Sequence, residues 1–161
     1  MRKAFLMIGI LVALILTIPA IGSAADVRGV TDTEVVVGIT TPLSGPAALW
    51  GMTGLGAKAW ADHINAQGGI HGRKIKVILK DDGYNPAKAM ANLREMKSEV
   101  FAVCGLLGTA IVNASKDFFG ENDIPLITAY GDTRIWTGVS PKSLKYVFIT
   151  YPDYEDEGQY L

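Results

Sequence analysis

Apolar and polar positions alternate between two periods along most of the chain. Glu34 to Thr41 (EVVVGITT) is β-branched and almost continuously apolar, a pattern that suits a strand buried on both faces of a sheet. Lys74 to Lys80 (KIKVILK) alternates charged and apolar side chains, as a strand near a sheet edge does. Val100 to Leu107 predicts a third, buried strand, Ile124 to Thr128 a fourth and Leu144 to Thr150 a fifth. Helical spacing fills the intervals. Ala47 to Ala66 carries Leu55, Ala59 and Ile64 near one face and ends at Gly68-Gly69, residues suited to close a helix C-terminus. Gly51, Gly54 and Gly56 inside it each cost about 1 kcal/mol relative to alanine. Asn85-Pro86 opens a second helix, with Asn at the N-cap and Pro at the first helical position. It runs to about Ser98, with Ala89, Leu93 and Met96 on one face. Thr109 to Gly120 predicts a third helix. Asp153 to Leu161 (DYEDEGQYL) reads as a helix opening, its acids gathered at the positive end of the helix dipole. It runs about two turns without a cap, so the chain is expected to stop inside an element of a longer protein.

Strands and helices in alternation predict an α/β fold: a Rossmann-like, mostly parallel sheet with helices on both faces. Residues 26–161 form one unit, with no repeat or low-complexity linker. Residues 1–25 stand apart. Arg2 and Lys3 precede an apolar run from Phe5 to Ile18, Pro19 breaks it, and Gly22, Ser23, Ala24 and Ala25 follow. This is the pattern of a secretory signal peptide, cleaved after Ala25 or Ala24. The apolar run is shorter than the roughly 18 residues a membrane span needs, so no stable membrane insertion is expected after cleavage.

Composition narrows the function classes. The chain has 161 residues, 49% hydrophobic and 19% charged, with a formal net charge of -1. That is a globular composition without the basic excess of a nucleic-acid binder. One cysteine excludes an internal disulfide and a cysteine-based zinc cluster. Two histidines, His63 and His71, leave little for metal chemistry, and no cofactor is expected.

In open α/β sheets, ligands bind beyond the carboxyl ends of the strands. Three loops hold such positions: residues 42–50, 105–110 and 129–133. Gly105-Leu106-Leu107-Gly108-Thr109 runs straight into a helix. Either its backbone N–H groups and the Thr109 hydroxyl hold an anion, or Thr109 serves only as an N-cap. Trp50 either walls a pocket or packs between helix and sheet. The glycines at 51, 54 and 56 do not have dinucleotide-binding spacing, Gly105 and Gly108 lack the lysine of a P-loop, and no G-x-S-x-G or H-E-x-x-H is present. Cys104 falls on an apolar strand and reads as an inert core residue; no histidine is placed to activate it. Asp81-Asp82 read as solvated turn formers. No catalytic residue is predicted.

Pro42-Leu-Ser-Gly-Pro46, Ile64-Asn-Ala-Gln-Gly-Gly-Ile-His-Gly-Arg-Lys74, Asp81-Asp82, Asn85-Pro86, Val100-Phe-Ala-Val103 and Gly105 follow in order. In this order they resemble the amino-terminal lobe of type I periplasmic substrate-binding proteins of ABC transporters, in the branched-chain amino acid (Leu/Ile/Val) binding branch. The resemblance covers nearly all of residues 34–161. It implies a two-lobed clamp of roughly twice this length, working in the periplasm with an ABC permease and without cofactors. It further implies that the loop-helix start at Gly108, Thr109 and Ala110 holds a ligand carboxylate. The loop from Tyr130 to Asp132 helps the ammonium, and Trp50 lines the pocket. Trp50 stands where a tyrosine is often found, and Asp132 where a small hydroxyl residue is expected in leucine binders. Tyr84 and Gly108 occupy the places of a disulfide found in some members. The ligand expected from these loops is an amino acid or similar small zwitterion. Two other readings of the same chain are an extracellular ligand-sensing domain and an α/β enzyme acting on a small polar substrate.

Overall fold

The computed structural model describes residues 26–160. The predicted leader, residues 1–25, lies outside the described residues, as does Leu161. Five parallel strands form one sheet: β1 (Glu34–Thr41), β2 (Lys74–Asp81), β3 (Ala102–Leu107), β4 (Leu126–Tyr130) and β5 (Val147–Phe148), in the order β2-β1-β3-β4-β5. The charged and apolar alternation of β2 places it at the sheet edge, as its sequence predicts. β1 pairs with it over its full length, Glu34 opposite Lys74 through Thr41 opposite Asp81.

The main core lies on the sheet face that carries Val36, Val103 and Leu126. Helix α2 (Pro86–Met96) covers it with Ala89, Leu93 and Met96, the three residues that share a face at helical spacing. Asn85 caps this helix as expected: its side chain accepts from the Ala87 and Lys88 amides at 2.9 and 3.1 Å. Phe118, Phe119 and Trp136 close the far end of the core. The lead-in segment is tied to the fold by Arg28, whose guanidinium donates to the carbonyls of Val100, Asn122 and Asp123.

Helix α1 (Met52–Ala66) lies on the opposite face, over β1 and β2. Gly54 makes this close approach possible: a Cβ there would sit 2.7 Å from Thr41 Cγ2 and 3.2 Å from Leu79 Cδ1. The β3–β4–β5 half of this face has less cover, and Ile127 and Phe148 remain 41% and 55% exposed.

The structure changes three predicted boundaries. The first helix starts at Met52, after successive turns over residues 45–51. The helix predicted from Thr109 to Gly120 divides into α3 (Thr109–Ser115) and α4 (Phe118–Glu121). Ser115 is buried, and its hydroxyl donates back to the Ile111 carbonyl at 2.9 Å, a bond that competes with regular helix geometry. The fifth strand, expected from Leu144 to Thr150, shrinks to two residues because Ser140 and Pro141 start a short helix, α5 (Pro141–Leu144), that takes in Leu144. A 3₁₀ turn over Thr133–Trp136 and the final helix α6 (Tyr154–Gln159) complete the order. Asp153 caps α6, accepting from the Glu155 amide at 2.7 Å.

Candidate ligand-binding site

The two adjacent aspartates at the end of β2 position the residues of one wall. Asp81 holds the 42–46 loop: its carboxylate accepts from the Leu43 and Ser44 amides at 2.8 and 3.2 Å and from the Ser44 hydroxyl at 2.6 Å. Lys88 Nζ approaches to 2.9 Å. The Ser44 hydroxyl and the Lys88 ammonium hold the Asp81 carboxyl well below the usual aspartate value. Asp82 departs from the expectation of a solvated turn residue. It is fully buried, and burial pushes its carboxyl upward. It accepts from Thr40 Oγ1 at 2.9 Å and from the Tyr84 amide at 2.8 Å. Thr40 Oγ1 in turn accepts from Asn92 Nδ2 at 3.0 Å, so the buried carboxyl belongs to a bonded network.

That network fixes Tyr84, whose φ of 62° is unusual for a residue with a side chain. The Tyr84 ring lies against Gly108: a Cβ on Gly108 would fall 2.6 Å from Tyr84 Cε2. Trp50 meets the same ring from the first loop, with centroids 5.7 Å apart and planes at 60°.

Trp50, Tyr84, Gly108 and Tyr130 thereby line a cleft of about 350 Å³ at the carboxyl ends of the strands. Thr53 and Leu107 contribute to its walls, and Tyr151 and Tyr154 finish it. Trp50 is 57% exposed and faces this cleft, the pocket-wall alternative of its two sequence readings. A larger groove of about 460 Å³ lies between α2 and the α3–α4 segment, lined by Arg94, Lys97, Asp117 and Glu121. It sits on the outer helical surface, away from the strand ends where open α/β sheets bind ligands.

Three of the predicted site residues, Trp50, Gly108 and Tyr130, meet in the cleft; Thr109, Ala110 and Asp132 are not among its lining residues. Thr109 Oγ1 accepts from the Asp132 amide at 3.1 Å, and Gly131 lets the two loops approach, since a Cβ there would sit 3.1 Å from Thr109 Cα. The Gly108 amide donates to the Tyr130 carbonyl at 2.7 Å and is engaged within the fold. Ala110 is exposed on the first turn of α3. The Asp132 carboxylate accepts from the Arg134 amide at 3.0 Å and pairs with its guanidinium at 2.6 Å. Arg134 holds that carboxyl below its ordinary value. Cys104 is partly exposed on the thinly covered face rather than in the core. Desolvation raises its thiol above the ordinary value, the opposite of an activated thiolate.

Sequence reasoning missed Tyr84, Tyr151 and Tyr154. The available signal was positional: each aromatic follows closely on the carboxyl end of a strand, where a ring faces the ligand side.

Comparison with known proteins agrees with this geometry. A family model described as periplasmic binding protein matches residues 34–161. The leucine-specific-binding protein of Salmonella typhimurium is 30% identical over 113 residues, covering 69% of this chain and 31% of that protein. Among solved structures, a fatty acid ABC transporter substrate-binding protein from Thermomonospora curvata superposes with a TM-score of 0.70. It is 28% identical, covering 83% of this chain and 34% of that one. A branched-chain amino acid transporter substrate binding protein from Streptococcus pneumoniae, in complex with isoleucine, gives a TM-score of 0.63 at 27% identity, covering 73% and 34%. The matched region spans about a third of the length of these relatives. A parallel sheet in the order β2-β1-β3-β4-β5, a cleft at its carboxyl edge and a family match running from the first strand to the last residue lead to one assignment: the chain belongs to the periplasmic binding protein family.

Proposed function

We propose that this chain is the amino-terminal lobe of the substrate-binding component of an ABC importer. It captures an amino acid or similar small zwitterion, with branched-chain amino acids as the leading class. It works in the periplasm after removal of residues 1–25 and delivers its ligand to a membrane permease. The observation that carries the reading is the convergence of Trp50, Gly108 and Tyr130 on one cleft at the carboxyl ends of the strands, in a chain of this family. Thr109 and Ala110, at the start of α3, are the proposed carboxylate contacts, and the Tyr130–Asp132 loop the ammonium side. A second lobe closing over this wall by a hinge supplies the remaining contacts. Among the described residues, no helix is long and apolar enough to cross a membrane.

Capture requires no bond making. The raised Cys104 thiol argues against a thiolate nucleophile at that position. A thermal-shift screen of the protein against the amino acids and related small zwitterions, run beside a turnover assay on the same ligands, tests the proposal. Stabilisation by a branched-chain amino acid without turnover is the expected result. Product formation, or stabilisation by neither an amino acid nor a related small zwitterion, contradicts it.

A further inference from the structure

The cleft has an unusual wall. Five aromatic residues line it: Trp50, Tyr84, Tyr130, Tyr151 and Tyr154. Their planes are steeply inclined to one another. Trp50 and Tyr84 meet at 60°, Tyr130 and Tyr151 at 75°, and Tyr151 and Tyr154 at 80°, with centroid separations of 5.7 to 6.0 Å. Parallel rings would form a slot for a flat ligand. Rings set across one another form a concave corner that offers π faces and edges from several directions, a shape suited to a rounded group.

Charge points the same way. None of the residues lining the cleft is ionised at neutral pH, so a cationic ligand group has no lining carboxylate for an ion pair. Beside the cleft, however, α6 carries Glu155, Asp156 and Glu157 around Tyr154. Glu157 is close enough to add to the upward shift of the Tyr151 hydroxyl, behind desolvation. Arg134 is drawn to Asp132, Asp153 and Glu155, whereas Asp156 and Glu157 have no ion-pair partner among the described residues. The surroundings are therefore anionic, while the wall itself is aromatic. A diffuse cation, whose charge is spread over methyl groups and needs no hydrogen-bond acceptor, matches both features.

We infer that the aromatic wall formed by Trp50, Tyr84, Tyr130, Tyr151 and Tyr154 receives a quaternary ammonium group, so that the captured zwitterion is a betaine-type compound. This rests on the proposal that the cleft binds a small zwitterion and specifies its cationic head.

The test uses glycine betaine and its carbon isostere, the anion 3,3-dimethylbutanoate, which keeps the carboxylate and the three methyl groups and lacks only the positive charge. Isoleucine is the third probe. Saturation-transfer NMR on the purified chain reads binding of each from its methyl signals, including weak binding, and titration ranks the affinities. The expected result is betaine binding about tenfold tighter than its isostere, with the preference lost in Trp50→Leu and Tyr151→Leu. Equal affinity for the two isosteres shows that shape alone is recognised and overturns the inference, whether or not the variants fold. Isoleucine binding without betaine binding removes the quaternary head and leaves zwitterion capture standing. Binding of neither zwitterion overturns both.

Discussion

Tyr84 and Gly108 are locked together across the cleft, with the tyrosine ring filling the space that a side chain at position 108 would need. Gly108 also has a φ of 109°, a region that side-chain-bearing residues rarely adopt. Gly108→Ala therefore meets both a clash and backbone strain, and should lower stability by about 1–3 kcal/mol. Tyr84→Ala removes the clash and not the strain, so the double substitution should cost less than the two single changes added together. Denaturant unfolding of the four proteins measures this. Strict additivity shows that the ring and the glycine do not depend on each other.

The glycines of α1 separate two roles that look alike in sequence. Gly54 sits where a Cβ would press on Thr41, Leu79 and Ile39, whereas Gly56 faces open space. Gly56→Ala should stabilise the protein by about 0.5–1 kcal/mol through helix propensity. Gly54→Ala should be destabilising by about 1–3 kcal/mol, because overpacking outweighs that gain. Thermal denaturation gives both signs, and equal shifts refute the assignment.

Asp81 and Asp82 should titrate in opposite directions from the ordinary aspartate value of about 3.9. The Asp81 carboxyl is lowered, so its contribution to stability is present above the ordinary value and lost as pH falls through its folded value. The Asp82 carboxyl is raised, so its contribution is present below the ordinary value and lost as pH rises through its folded value. Carbon-13 titration of the two carboxyl signals should place Asp82 above and Asp81 below the unfolded reference. The reverse order contradicts the burial account of Asp82.

Export is testable separately. Expressed with its leader in a Gram-negative host, the protein should begin at Asp26 or Ala25. Amino-terminal sequencing of a soluble protein with Met1 intact contradicts a cleaved leader.

Much of the fold was legible because single residues carry local instructions. The apolar run of β1, the alternation of β2 and the Asn85-Pro86 start of α2 each decide their element with short-range physics. The exceptions are contacts that spacing does not encode. Ser115 turns its hydroxyl back on the preceding turn and divides a predicted helix. Asp82 looks like a solvated turn residue until Thr40, near the end of the neighbouring strand β1, comes beside it. The site was half legible for the same reason. Trp50, Gly108 and Tyr130 follow from loop position, but Tyr151 joins them only because β5 lies next to β4. The pairing of Asp132 with Arg134 depends on the 3₁₀ turn that Asp132 itself caps.

The central claim is that the cleft between Trp50, Gly108 and Tyr130 is the ligand-binding wall. Nitrogen-15 chemical-shift mapping of the chain during titration with isoleucine and with glycine betaine tests it most directly. The account predicts that whichever ligand binds shifts the Trp50 indole and the amides of Gly108, Thr109, Ala110, Tyr130 and Asp132, and leaves Arg94, Lys97 and Asp117 in place. Shifts confined to those three residues of the outer groove, with the cleft signals unmoved, would contradict it.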